Sequence, residues 1–154
     1  MRLVRLTCVL VILTLALAGC AGGPRKNVFP PRASIQQLAM QADGSWKLQL
    51  RLQNFSNVPM TFTKVSMKIE IAGTDAGDVD VSPAMRIGPE SADLFEASLK
   101  PTPTAVTKVA SLHSGASVRY KLSGRIVTTD PDGDHPYTFE SQLSPVPGLD
   151  GMLR

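Results

Sequence analysis

Cysteine is scarce in this chain, which has Cys8 and Cys20 and no other cysteine in its 154 residues. If the segment that contains Cys8 is removed, as the next paragraphs predict, no internal disulfide can form. The fold then has to be stable on its hydrophobic core alone. The same scarcity excludes a multi-cysteine zinc site and, once Cys20 is modified, a cysteine nucleophile.

Long apolar runs are also missing, since a membrane-spanning helix needs about 20 apolar residues in succession. The uncharged stretch from Leu6 to Leu17 is shorter than that and follows a start that carries Arg2 and Arg5. A basic start, a short apolar centre and a small-residue exit are typical of a secretory signal peptide. We therefore predict that residues 1–19 are a signal peptide.

The exit of this signal, Leu17-Ala18-Gly19-Cys20, resembles the lipobox of bacterial lipoproteins. Ala18 and Gly19 are small enough for a peptidase groove, and the thiol of Cys20 can form a thioether to a diacylglycerol. The resemblance implies cleavage before Cys20, which becomes the lipid-bearing N-terminus and the contact with the membrane. The alternatives are an ordinary secretory signal with a chance cysteine and a short uncleaved anchor.

The lipidated chain is expected in the bacterial cell envelope. Each acyl CH₂ buried in a bilayer contributes about 0.8 kcal/mol, so several acyl chains would hold the protein firmly. In related lipoproteins an aspartate after the cysteine favours retention at the inner membrane. Here Ala21 takes that place, which favours the outer membrane, facing the periplasm.

Charge of one sign is not in excess. The chain has 16 basic and 13 acidic residues, and removal of residues 1–19 takes away two arginines and no acid. The remaining basic residues are spread along the chain rather than clustered. We therefore expect no nucleic-acid partner.

The mature chain divides into three parts by composition. Residues 20–33, with the sequence AGGPRKNVFPPR from Ala21 to Arg32, are predicted to be a flexible tether. In this tether, Arg25 and Lys26 either contact anionic headgroups or stay solvated. Residues 34–144 are predicted to be one domain, and residues 145–154 a C-terminal tail. This tail either packs on the domain through Val146, Leu149 and Leu153 or serves as a docking peptide.

Period-two alternation of apolar and polar residues is the strongest pattern in the domain. From Trp46 to Gln53 every even position is apolar and every odd one is polar or charged, as in a strand with one buried face. Similar segments are Thr63–Ile71, Ser117–Val127 and Tyr137–Leu143, with weaker examples at 34–42, 78–81 and 92–99. Such strands pair their apolar faces, so we predict an all-β fold, an antiparallel immunoglobulin/fibronectin III-like β-sandwich of about seven strands.

One segment departs from this alternation. Between Pro101 and Ser114, the apolar residues recur at helical spacing, which predicts a short helix near 104–112. We expect Thr104 to cap it and Gly115 to end it. The apolar positions are Val106, Val109, Ala110 and Leu112.

Three further stretches, taken in order, form a recognisable combination: LRLQNFSNVPMTFTKVSMKIEIAG from Leu50, IGPESADLFEASL from Ile87 and VRYKLSGRI from Val118. Together they resemble the late embryogenesis abundant (LEA) type 2 family, also called the WHy domain. The positions that match the family's strand–loop–strand pattern and its later Tyr-x-x-x-Gly pattern are Asn54, Asn57, Pro59, Tyr120 and Gly124. The resemblance covers 34–144 and implies a sandwich like fibronectin type III domains, associated with desiccation or other stress. No active site comes with this family, so no catalytic residue is carried over.

Two functions are therefore expected as alternatives. The first is a membrane-anchored, non-catalytic envelope lipoprotein that protects in desiccation or other stress. The second is an envelope interaction module that docks a protein partner through a sheet edge or through the C-terminal tail. Neither an enzyme activity nor a cofactor nor a small-molecule substrate is predicted.

The remaining polar residues each allow a functional and a structural interpretation. The histidines His113 and His135 have no recognisable nucleophile beside them in the sequence. The acidic turn from Asp130 to Asp134 is either a weak calcium site, supplemented by Glu140, or a plain hairpin turn. Side chains in the loop after the second strand either bind a polar ligand or bond their own turn backbone, the interpretation we favour; they are Asn54, Ser56 and Asn57. Trp46 is predicted to be a core residue.

Overall fold

The computed structural model describes residues 23, 25–111 and 116–154. In this part of the chain, nine strands and one short helix form two antiparallel sheets, which confirms the all-β sandwich. The count of nine exceeds the predicted number because β5 and β9 have only three and two residues. The strands are β1 (Arg32–Met40), β2 (Trp46–Gln53), β3 (Met60–Ile71), β4 (Thr74–Val81), β5 (Met85–Ile87), β6 (Ala92–Leu99), β7 (Val118–Asp130), β8 (Asp132–Leu143) and β9 (Met152–Leu153).

Each of the two sheets combines strands that are distant along the chain. The first sheet has four strands in the order β6-β2-β1-β9, and the second has the order β4-β3-β7-β8, with β5 paired to the start of β3. The connection from β2 to β3 therefore crosses from one sheet to the other. The residues of that connection, 54–59, are called the junction loop below.

The core lies between the sheets and follows the alternation in the sequence. On β2, the side chains at even positions are at most 1% exposed while Lys47 and Arg51 face outward. Trp46 is among the buried residues, which confirms its predicted core position. The buried side chains of β2 are Trp46, Leu48, Leu50 and Leu52.

Strand β3 begins at Met60, three residues before the predicted start at Thr63. Both Met60 and Phe62 are buried, and the next buried position is Val65. The pairing with β7 shifts register between Phe62 and Lys64. Such a bulge inserts a residue and reverses the alternation, so period-two analysis alone truncates the strand.

The helix α1 (Pro103–Ala110) connects β6 to β7 and begins earlier than predicted. Its N-cap is Thr102, whose hydroxyl accepts a hydrogen bond from the Ala105 N–H at 3.3 Å, so the predicted cap at Thr104 is wrong. Pro103 explains the difference, because proline is favoured at the first helical position. Ala105 and Val109 are buried and Val106 is 37% exposed. Leu112 and Gly115 lie outside the described residues.

The C-terminal residues pack on the first sheet. Strand β9 pairs with Leu38 and Ala39 of β1, and Leu153 is 3% exposed. Leu149, expected to pack as well, is 51% exposed. The tail thus covers part of the β1 edge through Leu153. The residues that the structure describes include no helix with the length and apolar character needed to cross a bilayer.

Candidate functional site

Asn54 fixes the junction loop from inside the protein. Its side chain is fully buried, and its Nδ2 donates hydrogen bonds to the carbonyl oxygens of Val58 at 2.8 Å, Gly88 at 2.9 Å and Ile87 at 3.3 Å. Its Oδ1 accepts from the Ser56 N–H at 2.9 Å. The favoured structural interpretation is confirmed for this residue, because backbone groups occupy both ends of its amide.

The other two polar residues of the junction loop hold the chain that precedes β1, rather than their own turn as predicted. The hydroxyl of Ser56 accepts from the Phe29 N–H at 2.9 Å. Asn57 Oδ1 accepts from the Asn27 N–H, and Asn57 Nδ2 donates to the Arg25 carbonyl, both at 2.7 Å. Residues 25–29 are called the N-terminal segment below. These contacts give that segment defined partners on the domain.

Arg32 extends this attachment into the first residue of β1. Its guanidinium carbon lies 4.9 Å from the centroid of the Phe55 ring and 4.9 Å from that of Phe139. Both distances are within the range of a cation–π interaction. The arginine thus links the junction loop to β8, a contact that no local pattern indicates.

Tyr120 connects the two sheets through its hydroxyl. The hydroxyl accepts a hydrogen bond from the Ile35 N–H at 3.2 Å. The register between β1 and β2 shifts between Ile35 and Gln37, so the tyrosine supplies a partner at an irregular point of β1. Burial raises the pKa of Tyr120. The resemblance marked this residue without indicating its role.

Tyr137 contrasts with Tyr120, although both are inward-facing tyrosines of the second sheet. Its hydroxyl is buried and finds no hydrogen-bond partner in the part of the chain that the structure describes. Burial raises its pKa well above the usual value. An unsatisfied buried hydroxyl lowers stability, whereas a satisfied one does not.

The two tyrosines therefore predict opposite results for the same chemical change. We expect Tyr120→Phe to lower the free energy of unfolding by about 2 kcal/mol, because it leaves the Ile35 N–H buried without an acceptor. We expect Tyr137→Phe to raise it by about 1 kcal/mol. Urea unfolding followed by Trp46 fluorescence measures both. Equal changes in the two variants would contradict this assignment of hydroxyl roles.

Two carboxylates of the acidic turn form ion pairs with arginines. Asp130 forms an ion pair with Arg86 at 2.8 Å, and Asp134 forms one with Arg125 at 2.6 Å. Within residues 23, 25–111 and 116–154, no cluster of three potential metal ligands occurs. The geometry thus supports a hairpin turn with ion-paired carboxylates, and calcium binding has no assembled ligand set there.

The Arg125–Asp134 pair predicts a depressed carboxyl pKa. The side-chain hydrogen bonds from Arg125 hold the pKa of Asp134 below its usual value. Any stability that this pair adds is present above the unfolded-state pKa and is lost as the pH falls through the lower folded-state pKa. Both groups are about half exposed, so solvent weakens the effect. NMR titration checks this: Arg125→Gln should return the Asp134 pKa toward normal, whereas an unchanged titration contradicts the pair.

His135 lies beside a hydroxyl, but the geometry does not activate it. Its Nε2 is 3.3 Å from the Thr128 hydroxyl, which donates to the Pro131 carbonyl at 2.7 Å. In this arrangement the hydroxyl proton is directed to the Pro131 carbonyl rather than to the imidazole. Thr128 is also fully buried. His113 and Cys20 lie outside the described residues, so lipidation of Cys20 stays a prediction.

An open groove of about 340 Å³ lies between the end of α1 and the C-terminal tail. Its walls include Met40, Val109, Leu149 and Met152. Polar and apolar atoms contribute about equally to its surface, and Asp150 also lines it. Its exposed rim includes Leu149.

Comparisons with known proteins find similar solved structures but no match in sequence. No protein-family profile and no curated protein sequence matches this chain. One similar solved structure is a candidate late embryogenesis abundant (LEA) protein, with 12% identity, a TM-score of 0.48, and coverage of 97% of this chain and 88% of the other. An Arabidopsis thaliana protein has 11% identity, a TM-score of 0.49 and coverage of 83% and 85%. An Archaeoglobus fulgidus protein has 16% identity, a TM-score of 0.42 and coverage of 78% and 98%.

Proposed function

We propose that this chain is a lipid-anchored protein of the bacterial envelope, with a non-catalytic, LEA type 2-like sandwich domain that protects in desiccation or other stress. The observation that carries the proposal is the lipobox-like sequence that ends at Cys20, shortly before a compact β-sandwich. Anchoring at Cys20 would place the domain at the membrane surface, on the periplasmic side of the outer membrane.

The outer faces of the sheets support a protective role by their charge. Ion pairs between lysines and acidic residues join neighbouring strands. Examples are Lys47–Glu96 at 2.9 Å and Lys64–Asp80 at 3.0 Å. Such exposed pairs add little to stability. Their contribution to the proposed function is hydration: a charged, water-binding surface near the bilayer would limit close contact between dehydrated surfaces.

Three measurements on cells test this function. Mass spectrometry of the mature N-terminus should show an acylated Cys20, and fractionation should place the protein in the envelope membrane. A deletion strain should survive drying less well than its parent, and the intact gene should restore survival where a Cys20→Ala gene does not. The Cys20→Ala protein retains the whole sandwich, so it controls for folding. Equal survival of the deletion strain and its parent would reject the protective role.

A specific observation favours the interaction module as a second candidate. Strand β6 is the outer strand of the first sheet, contains no proline, and carries Leu94 with 43% exposure. Outer strands of this kind accept an added strand. The outer strand β8 is less suited, because Pro136 lacks an N–H. The tail is less available as well, since Leu153 is buried against β1.

Site-specific crosslinking distinguishes this candidate. A photo-crosslinking amino acid in place of Leu94 should trap one stoichiometric protein in intact cells, and the same group in place of Thr138 on β8 should not. Identical products from both positions would indicate random contacts and reject docking at β6.

A further inference from the structure

The N-terminal segment presents adjacent apolar side chains to solvent while the domain holds its backbone. Val28 is 47% exposed and Phe29 is 51% exposed. They are two of the five large apolar residues that are exposed in the described part of the chain. Ser56 and Asn57 bond the backbone of this segment, so the two side chains do not turn inward and project from a defined position on the sandwich.

Chain length places this position close to the proposed anchor. Cys20 and Arg25 are five residues apart, which an extended chain spans in at most about 18 Å. A free tether that reached to Ser34 would allow about 50 Å instead. The attachment at Asn57 thus shortens the reach of the domain, which keeps Val28 and Phe29 within reach of the lipid headgroups.

The charge of the segment matches an anionic surface. Arg25 and Lys26 are exposed, and residues 25–32 contain no acidic residue. Glu90 is the acidic group on the adjoining loop, where its N–H donates to the Ser56 carbonyl at 2.9 Å. Each basic residue near an anionic bilayer strengthens binding by about fivefold. Apolar side chains beside basic ones are typical of surfaces that insert at the headgroup boundary.

We propose that Arg25, Lys26, Val28 and Phe29 form a bilayer-contacting face, which seats the domain on anionic phospholipid in a fixed orientation. The inference rests on lipidation of Cys20. Arg25 and Lys26 bind the headgroup phosphates, while Val28 and Phe29 enter the boundary between headgroups and acyl chains. Asn57 is a positioning residue for this face.

Fluorescence quenching in vesicles tests the proposal. The full lipoprotein is reconstituted in phosphatidylcholine mixed with phosphatidylglycerol, with or without a doxyl group near the top of the acyl chain. In a Phe29→Trp variant, the doxyl lipid should reduce the added indole emission by about half, because that side chain reaches the headgroup boundary. The matched control is Leu149→Trp, since Leu149 is also 51% exposed and lies in the C-terminal tail; its emission should not change.

Further variants and lipid compositions separate the possible outcomes. Addition of Arg25→Gln and Lys26→Gln, or of Asn57→Ala, should weaken the quenching in Phe29→Trp, and so should pure phosphatidylcholine. Equal quenching at positions 29 and 149 would overturn a fixed face. A blue-shifted indole that doxyl lipid does not quench would show that the face meets protein, which also overturns the proposal. If Cys20 proves unmodified in the purified protein, the proposed anchoring fails. The mass of the N-terminus reports this directly, so failure of the anchoring is distinguishable from failure of the bilayer-contacting face.

Discussion

Replacement of Asn54 by aspartate is expected to lower the free energy of unfolding by about 4 kcal/mol at neutral pH, as for other buried charges that lack a partner. The change keeps the shape of the side chain. It replaces the Nδ2 that donates to the carbonyls of Val58, Ile87 and Gly88 with an oxygen that repels them. The loop loses three hydrogen bonds and gains a buried negative charge.

Urea unfolding at two pH values measures this effect and identifies its cause. Protonation of the introduced carboxyl in acid removes the charge, so the deficit of Asn54→Asp should be smaller near pH 4 than at pH 7. The control is Asn57→Asp, which makes the same atomic change at an exposed position. We expect a change below about 1 kcal/mol there. Similar losses in both variants would show that burial of Asn54 does not set the stability of the junction loop.

The sandwich could be predicted from the sequence because burial of one face leaves a direct record in it. On β2 each side chain alternates between core and solvent, and the sequence alternates with it. The same holds for the central part of β3, where Val65, Met67 and Ile69 are buried. A fold with two one-sided sheets therefore follows from the pattern without knowledge of which strands are neighbours.

The boundaries that were wrong have local physical reasons. Strand β3 starts early because a bulge after Phe62 changes the phase of the alternation. The helix starts early because Pro103 is a better first residue than an interior one. In the tail, only two residues, Met152 and Leu153, pair with β1, and this short pairing decides which side chains of the tail pack on the domain. Pattern analysis averages over several residues and misses each of these single-residue effects.

The attachment of the N-terminal segment could not be predicted, because its partners are distant in the sequence. Asn57 bonds to Arg25, and Arg32 lies between Phe55 and Phe139. The composition of residues 25–32 is that of a linker, since prolines and basic residues bury no core. Hydrogen bonds from the junction loop nevertheless hold part of this segment. A signal was present in the two asparagines of the loop, but their number alone does not specify what they bind.

Gly124 is the position where a single added methyl group should have the next largest effect. This residue is on β7 and pairs with Met67 of β3. A Cβ built at Gly124 would overlap the carbonyl oxygen of Ser66 and would lie 2.8 Å from the Cα of Met67. Both obstacles are backbone atoms of a central strand, so they cannot rotate away as a flexible side chain does. This gives a physical reason for the glycine four residues after Tyr120.

We therefore expect Gly124→Ala to lower the free energy of unfolding by about 3 kcal/mol, because the methyl group has to separate β7 from β3. Ser123→Ala is the matched control on the same strand and should change it by less than about 1 kcal/mol. Urea unfolding measures both, and amide hydrogen exchange shows where the strain acts: protection should fall along the β3–β7 pairing and persist in the β1–β2 pairing. If Gly124→Ala is as stable as the wild type, the two strands have room for a side chain. That result would contradict the close approach of the β3 backbone to Gly124. If Gly124→Ala does not fold, Gly124→Ser should fail as well while Ser123→Ala folds, since it is the presence of any Cβ at Gly124 that separates the strands.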